Sequence, residues 1–452
     1  MLMKAKPITS SANAALALLL AVNLFNYIDR QVLAAVAPEI QKEFHTDDAT
    51  TGLLQTAFLV SYMLVAPLFG WLGDRYRRWP LIGIGVVVWS VASGASGLAT
   101  VAGGLVETHV PPIAALFAGL GLTAGIGVLL ITRMFVGVGE GAYGPTAPTL
   151  ISDMYPVARR GRVMAWFYAA IPVGSALGYL LGGGILKAGL TWHWAFIVVL
   201  PPGLLLGLWC FLMRDPPRGA AEPVAIGTPT LPKKSRISDY RILLQTPSYL
   251  LNTAGMTAMT FALGGIGFWM PKYIVWHSKG TITLDNANAL FGPIIVVSGL
   301  LGTLAGGAAG DWLRPRLGGS YFLVSGAAMV VAFPLFLLLP ITPFPAAWVL
   351  IFATSFCLFF NTGPTNTILA NVTHASIRAA GYALNIFVIH AFGDAISPWL
   401  IGRINDLWDG DMDAGFIAIS ITILIGGLFW LAGTRYLARD TALAPTRLNG
   451  DA

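Results

Sequence analysis

The chain has 452 residues, of which 56% are hydrophobic and 11% charged. A soluble fold of this length cannot hide so much apolar surface, so the bilayer is its expected solvent. The 27 basic and 21 acidic side chains leave a net charge of +6, and in a membrane protein such an excess follows the inner surface and implies no nucleic acid.

A spanning helix needs roughly 20 apolar residues. Twelve stretches meet this, near 13–37, 52–72, 80–100, 125–148, 163–186, 193–213, 249–275, 287–310, 320–340, 346–370, 379–402 and 413–433. The first runs from Ala12 to Ala37, longer than the core of a cleavable signal, and is expected to stay as a helix. The second ends in Gly70-Trp71-Leu72-Gly73-Asp74-Arg75-Tyr76-Arg77-Arg78. Between the third and fourth lies 101–124, where Pro111-Pro112 and Gly119 and Gly121 break an apolar run too long for one helix. It is read as an outer-face insertion, either a hairpin or a kinked start to helix four. Residues 214–246, with Pro216-Pro217 and Pro223 to Pro229, read as a cytoplasmic linker. After helix eight the earlier signature returns as Gly307-Ala308-Ala309-Gly310-Asp311-Trp312-Leu313-Arg314. Duplication on that scale in a hydrophobic chain is how secondary transporters are built, with the substrate between repeats.

The expected organisation is an all-α membrane protein. A six-helix half (1–213) is followed by the linker, a second pseudo-symmetric half (247–434) and a tail (435–452). With both termini inside, 20 of the 27 Lys and Arg fall on the cytoplasmic side and five outside, Arg30 and Arg133 remaining within helices. A spanning 101–124 would move Arg159, Arg160 and Arg162 outside, against the positive-inside rule. Cys210 and Cys357 fall in apolar helices and read as packing.

Asn26-Tyr27-Ile28-Asp29-Arg30, together with Gly73-Asp74-Arg75, resembles the major facilitator superfamily. Arg133 to Gly141, Ala147 to Asp153 and Phe167 to Tyr179 are similar to the spinster family. That resemblance covers the chain apart from 101–124. It implies a proton-linked carrier of lysolipids or sphingoid-type lipids. The Asn-Tyr-x-Asp-Arg helix also occurs in organic-anion/proton symporters of the same superfamily, which remains the alternative.

Ionisable groups inside spans are expensive, so each is a functional candidate. Asp29 and Arg133 both fall about 12 Å below the outer face, and Glu140 lies about 10.5 Å deeper than Arg133 on the same helix face, near the level of Asn23 and Asn26. One reading is a structural Asp29–Arg133 ion pair with Glu140 hydrogen-bonded to the asparagines. The preferred reading makes Glu140 the first proton carrier and Asp29 the second, because burial and a nearby arginine push a carboxyl in opposite directions. Arg133 and Arg30 would then tune them or hold an anionic headgroup. The resemblance also points to an acid-and-arginine set on helices one and four.

Cavity candidates are Asn23, Asn26, Tyr27, Tyr62, Tyr168, Ser175 and Tyr179 in the first half, and Thr362, Asn366, Asn385, His390 and Asp394 in the second. Core packing is an equal reading of the tyrosines, and a structural hydrogen bond an equal reading of His390 with Asp394. Gly174, Gly178 and Gly182 suit close helix packing. The gating candidates are Gly73, Asp74, Arg75, Arg77, Arg78 and Asp153, mirrored by Gly310, Asp311 and Arg314. A carboxylate such as Asp74 can sit against a helix N-terminus; the superfamily resemblance implies that Asp74 braces helix eleven near Ala379-Ala380-Gly381, and Asp311 helix five near Gly161. Trp312 replaces the arginine that follows the first aspartate, so the second latch is expected to be weaker.

Gly137-x-Gly139-x-Gly141 mimics a dinucleotide loop but lacks a βαβ setting, and Asn371-Val372-Thr373 is a sequon on the expected cytoplasmic side. No metal spacing among the histidines and no phosphate-binding loop is found. The expectation is a monomeric, multi-pass protein of the cell (inner) membrane. It works with protons and an amphipathic substrate, without cofactor, metal or enzymatic activity.

Overall fold

The computed structural model describes residues 12–155, 157–217, 241–373 and 377–444; within these, the side chains of 74, 152, 157–162, 164–165, 169 and 378–380 lie outside the described set. No strand occurs among the described residues. The first half contains α1 (Ala12–Phe44), α2 (Asp48–Arg75), α3 (Arg78–Ser96), α4 (Ala99–His109), α5 (Pro111–Gly119), α6 (Ala124–Tyr143), α7 (Ala147–Met154), α8 (Val157–Lys187), α9 (His193–Ile197) and α10 (Leu200–Leu212). A short α11 (Arg241–Leu244) precedes α12 (Pro247–His277), α13 (Leu284–Leu313), α14 (Ser320–Leu337), α15 (Ala346–Phe359) and α16 (Thr362–Val372). The chain continues through α17 (Arg378–Ile389), α18 (Ser397–Leu407), α19 (Met412–Gly433) and α20 (Leu437–Leu443).

Eleven helices among the described residues are long and apolar enough to cross a membrane. The expected seventh span is the 31-residue α12, whose Asn252, Thr253, Thr257 and Thr260 dilute its apolar character. With α12, every expected span has a helix. Caps fix several starts: Asp47 accepts from Thr50 N at 2.8 Å, and Thr123 from Ile126 N at 3.3 Å. The 101–124 stretch is not one straight helix: most of it falls in α4 and α5, which are bent by 112° about Val110.

Glycine sets the helix spacing. Gly174 and Gly178 of α8 lie so close to α1 that a Cβ there would stand 2.7 Å from Leu24 O and 2.6 Å from Ile28 O. This is the close-packing face expected from their spacing. The Gly137-x-Gly139-x-Gly141 run has the same explanation: a Cβ on Gly137 would overlap Ser61 Oγ of α2, and one on Gly139 would meet Gly85 O of α3 at 2.6 Å. Gly203 of α10 abuts Ser90 of α3.

The second half repeats the plan. Gly306 of α13 lies against the Phe360 carbonyl at the end of α15, Gly433 of α19 against Phe322 of α14, and Tyr249 of α12 donates to Gly381 O of α17 at 2.7 Å. Second helix on fourth, third on sixth and first on fifth therefore recur in both halves.

Contacts divide the chain into two units, Met1–Val224 with Ile282–Gly292, and Ala225–Thr281 with Pro293–Ala452. The first turns of α13 thus group with the first unit. The reason is local: Asn288 Nδ2 donates to Ala35 O of α1 at 2.9 Å, and Phe291 meets Tyr179 of α8 edge-on at 5.1 Å.

A substitution pair tests the packing. Gly137→Ala should lower stability by about 1–3 kcal/mol, the usual cost of overpacking. Gly184→Ala should be neutral, since nothing lies within 4 Å of a Cβ there. Melting temperatures of both purified variants in one detergent provide the check.

Candidate charge site

Asp29 and Arg30 are consecutive on α1, so they point about 100° apart. Asp29 turns towards α3, where Ser93 Oγ donates to its Oδ1. Arg30 turns towards α6 and places Nη2 at 2.6 Å and Nε at 2.7 Å from the same oxygen, Oε2, of Glu140. The Arg30 guanidinium also lies 4.8 Å from the Tyr27 ring, 5.1 Å from Phe58 and 5.3 Å from Tyr62. A desolvated cation over aromatic faces gains on the order of 2 kcal/mol.

Arg133, two turns before Glu140 on α6, is 0% exposed. Its three guanidinium nitrogens have no hydrogen-bond partner, nor do Oδ2 of Asp29 and Oε1 of Glu140. The Arg133 guanidinium lies 5.3 Å from Phe58, so both arginines face one ring. When ionised, the two acids balance the two bases, yet only one close ion pair joins them. Buried charges normally take every available bond. This set holds donors and acceptors in reserve.

Two parts of the alternative, purely structural reading do not hold here. Asp29 and Arg133 do not form a direct ion pair, because Asp29 is turned to Ser93. Glu140 bonds Arg30 rather than the asparagines, while Asn23 donates to Phe167 O of α8 at 2.7 Å and ties α1 to α8. Depth along a helix is read from residue counts, but the direction a side chain faces depends on helix rotation. Phe58 was missed altogether; the one signal was its position four residues before Tyr62 on α2.

The remaining cavity candidates divide between the units. Tyr27 and Tyr62 line the Arg30 site, and Asn26 and Ser175 are buried. Tyr168 is exposed, with Phe167 edge-on at 5.3 Å. Tyr179 is buried against Phe291, so it packs the first unit rather than lining open space. In the second unit, Asn385 is buried and accepts from Thr253 Oγ1 at 2.8 Å. Thr362 donates to Phe359 O at 2.9 Å, and Asn366 to Thr362 O at 2.8 Å. His390 Nδ1 meets Asp394 at 2.9 and 3.1 Å across a π-helical turn broken at Gly393.

Among the gating candidates, Arg78 is the hub. Its Nη1 lies 2.5 Å from Asp153 Oδ2 and 3.4 Å from Thr149 Oγ1. The N-terminus of α3 is capped by Asp215, which accepts from Arg78 N at 2.6 Å and Trp79 N at 3.1 Å. Asp215 was not singled out from sequence, although an acid beside a helix start is the expected pattern. Gly73 sits beside Thr146, Arg75 stacks on Trp71 at 3.9 Å, and Arg77 precedes α3. The Asp74 side chain, those of Ala379 and Ala380, and those of residues 157–162 around Gly161 lie outside the described residues. In the second copy, Gly310 packs on Tyr321, whose hydroxyl donates to Asp311 Oδ1 at 2.7 Å. Arg314 stands 5.9 Å from the same ring.

Membrane spans, the repeated helix plan and a buried set of acids and arginines define a secondary transporter. The sequence pattern of the Major Facilitator Superfamily matches residues 19–398. The chain is 34% identical to "Protein spinster homolog 3" of Danio rerio, over 96% of this chain and 87% of that protein. It is 31% identical to the "Sphingosine-1-phosphate transporter SPNS2" of Mus musculus, over 94% of this chain and 78% of that one. A crystal structure of a bacterial homologue of the human lysosomal transporter spinster, inward-facing and unoccupied, superposes with TM-score 0.75 at 20% identity, covering 95% of this chain and 97% of that one. A D-xylose-proton symporter shares the fold at TM-score 0.71 and 15% identity, with 95% and 99% coverage. The chain belongs to the major facilitator superfamily and, within it, to the spinster family of transporters. It is an integral multi-pass membrane transporter, not an enzyme.

The reserve charge on Arg133 yields a test. Arg133→Met leaves one acid uncompensated and should cost about 3 kcal/mol, as when a buried pair loses one partner. Adding Asp29→Asn should recover most of that loss. Melting temperatures of the four proteins in the cycle decide it, and additive losses would show that the two side chains do not share a charge balance.

Proposed function

We propose that the chain is a proton-coupled transporter that moves an amphipathic, lipid-like substrate of lysolipid or sphingoid type by alternating access. The observation that carries this reading is the Arg30–Glu140 pair, set beside an Arg133 with no bonded partner. A proton placed on Glu140 removes one negative charge and with it the reason for Arg30 to stay. Two guanidiniums then face a single remaining acid, Asp29, and their free donors attract an anionic headgroup. Loss of the proton restores the pair and expels the anion. Glu140 is the first carrier in this scheme, and Asp29, whose Oδ2 is free, is the second. The name of the mouse relative, a sphingosine-1-phosphate transporter, supports a substrate with an apolar tail and an anionic head.

The same scheme assigns the gates. Gly73, Asp74, Arg75, Arg77, Arg78 and Asp153, with Gly310, Asp311 and Arg314, open and close the cytoplasmic face. Both termini are assigned to the cytoplasm of a cell whose inner membrane holds the protein as a monomer. An organic-anion/proton symporter is the second reading, favoured by the fork of free donors on Arg133, which also suits a small carboxylate.

Proteoliposomes with an imposed pH gradient test both. Wild-type protein should carry a lysophospholipid and not a dicarboxylate, and reversed preference would favour the second reading. Glu140→Gln should keep ligand binding, read as thermal stabilisation, and lose all flux driven by the pH gradient. Undiminished proton-driven flux in that variant removes Glu140 as the carrier.

A further inference from the structure

The α4–α5 elbow carries chemistry that the transport scheme does not use. The α3 and α4 helices run one after the other along α6: Gly85 of α3 abuts Gly139, and Gly103 of α4 abuts Gly125. Along them Ile84, Val91, Leu98 and Leu105 recur every seven residues, and each is 50–55% exposed. Seven residues are close to two helical turns, so these four form one stripe. The stripe begins on a membrane-spanning helix and continues without change onto α4, so the same surroundings cover both.

Length places the bend. The helices α3 and α4, interrupted at Gly97 and Leu98, together rise about 45 Å between Arg78 and His109 when laid end to end, close to the 40–45 Å of a bilayer with its headgroups. Glu107, Thr108 and His109, the polar residues just before the bend, therefore reach the headgroup level of the face opposite Arg77 and Arg78. The 112° turn sends α5 back rather than out into water.

α5 reads Pro111-Pro112-Ile113-Ala114-Ala115-Leu116-Phe117-Ala118-Gly119, without one charged or hydrogen-bonding side chain. Only Phe117 is buried, where it meets Gly127 of α6; Ile113, Leu116 and, just beyond the helix, Leu120 are exposed. A protein partner covers one stripe of a helix. A helix that is apolar all round calls for an apolar solvent.

The backbone of the elbow is also self-sufficient. Pro111 and Pro112 at the start of α5 bring no N–H groups, and Ile113 N and Ala114 N donate to Val110 O at 3.0 and 3.2 Å. Thr108 Oγ1 donates to Gly104 O at 2.9 Å, and His109 Nδ1 reaches Leu105 O at 3.3 Å. Past the far end, Gly121 N and Leu122 N donate to Ala118 O and Phe117 O, both at 2.9 Å. Satisfied helix ends are what low-dielectric surroundings demand.

We propose that the α4–α5 elbow is an interfacial lipid anchor: α5 lies within the outer boundary of the acyl chains, with Glu107 and His109 among the headgroups. The occupant of its apolar surface is lipid, not a second copy of the chain.

The test uses full-length protein with Cys210→Ala and Cys357→Ala, reconstituted in phosphatidylcholine vesicles. A bimane fluorophore is attached at Leu116→Cys or, should that variant melt early, at Ile113→Cys. Val91→Cys serves as the membrane-facing reference and Lys279→Cys as the loop reference. Quenching by doxyl-labelled phosphatidylcholine is compared with quenching by aqueous iodide. The elbow label should show a lipid-to-iodide ratio matching that at Val91 and well above that at Lys279. A ratio like that at Lys279 would place α5 in water and overturn the proposal. Shielding from both quenchers would show a protein cover, a second copy included, and would overturn it equally.

Discussion

Everything in the first unit depends on charge held largely away from water. Two guanidiniums and two carboxyls meet between α1, α2, α3 and α6, and each is costly there unless compensated. Arg30 and Glu140 compensate each other through two short contacts to one oxygen. Arg133 and Asp29 do so only at a distance. The site is balanced in charge but not in bonds. In the proposed scheme this inequality is what a proton or an anion would act on, changing which partner each arginine prefers, whereas a fully bonded network would have nothing to exchange.

That arrangement needs helices to approach closely and to stay aligned. Hydrophobic attraction cannot supply this inside a bilayer, where the lipid is as apolar as the side chains. Small residues supply it instead. Gly137 and Gly139 bring α6 against α2 and α3, and Gly174 and Gly178 bring α8 against α1. Glycine and charge alternate along α6: Arg133, Gly137, Gly139, Glu140, Gly141. The residues that draw the helices together thus sit among those that carry charge, so a shift in packing is felt at once by the ion pair. In the second unit the same helix plan encloses different polar groups, among them Thr253 with Asn385 and His390 with Asp394. The repeated architecture is common to both halves; the concentrated charge belongs to the first.

Much of this is legible in the sequence, for physical reasons. Span positions follow from hydropathy, because the bilayer imposes a length. The glycine face of α8 follows from a four-residue spacing that permits only one kind of neighbour. The membership of the charge set follows from the expense of burying ions. What could not be read is which member bonds which. Asp29 and Arg30 are adjacent, and a rotation of α1 by one residue would exchange their roles. Phe58, an apolar residue in an apolar helix, carries only its spacing of four residues from Tyr62 as a hint that it stands between two arginines. Tyr179 has the spacing of a cavity residue and is instead closed off by Phe291, a contact that only the first turns of α13 create. Asp215 lies in a polar stretch where an acid is unremarked until its partner, the start of α3, is placed beside it.

The central claim is that Glu140 itself takes up the coupling proton, and infrared difference spectroscopy reads this directly. Wild-type protein in lipid, taken from alkaline to acidic pH, should gain a carbonyl stretch of a protonated, buried carboxyl. In Glu140→Gln the Glu140 component of that band should be lost, leaving at most the part due to Asp29, while the helical amide signal is unchanged. An identical band in the variant would mean that another acid takes the proton, and would contradict the account.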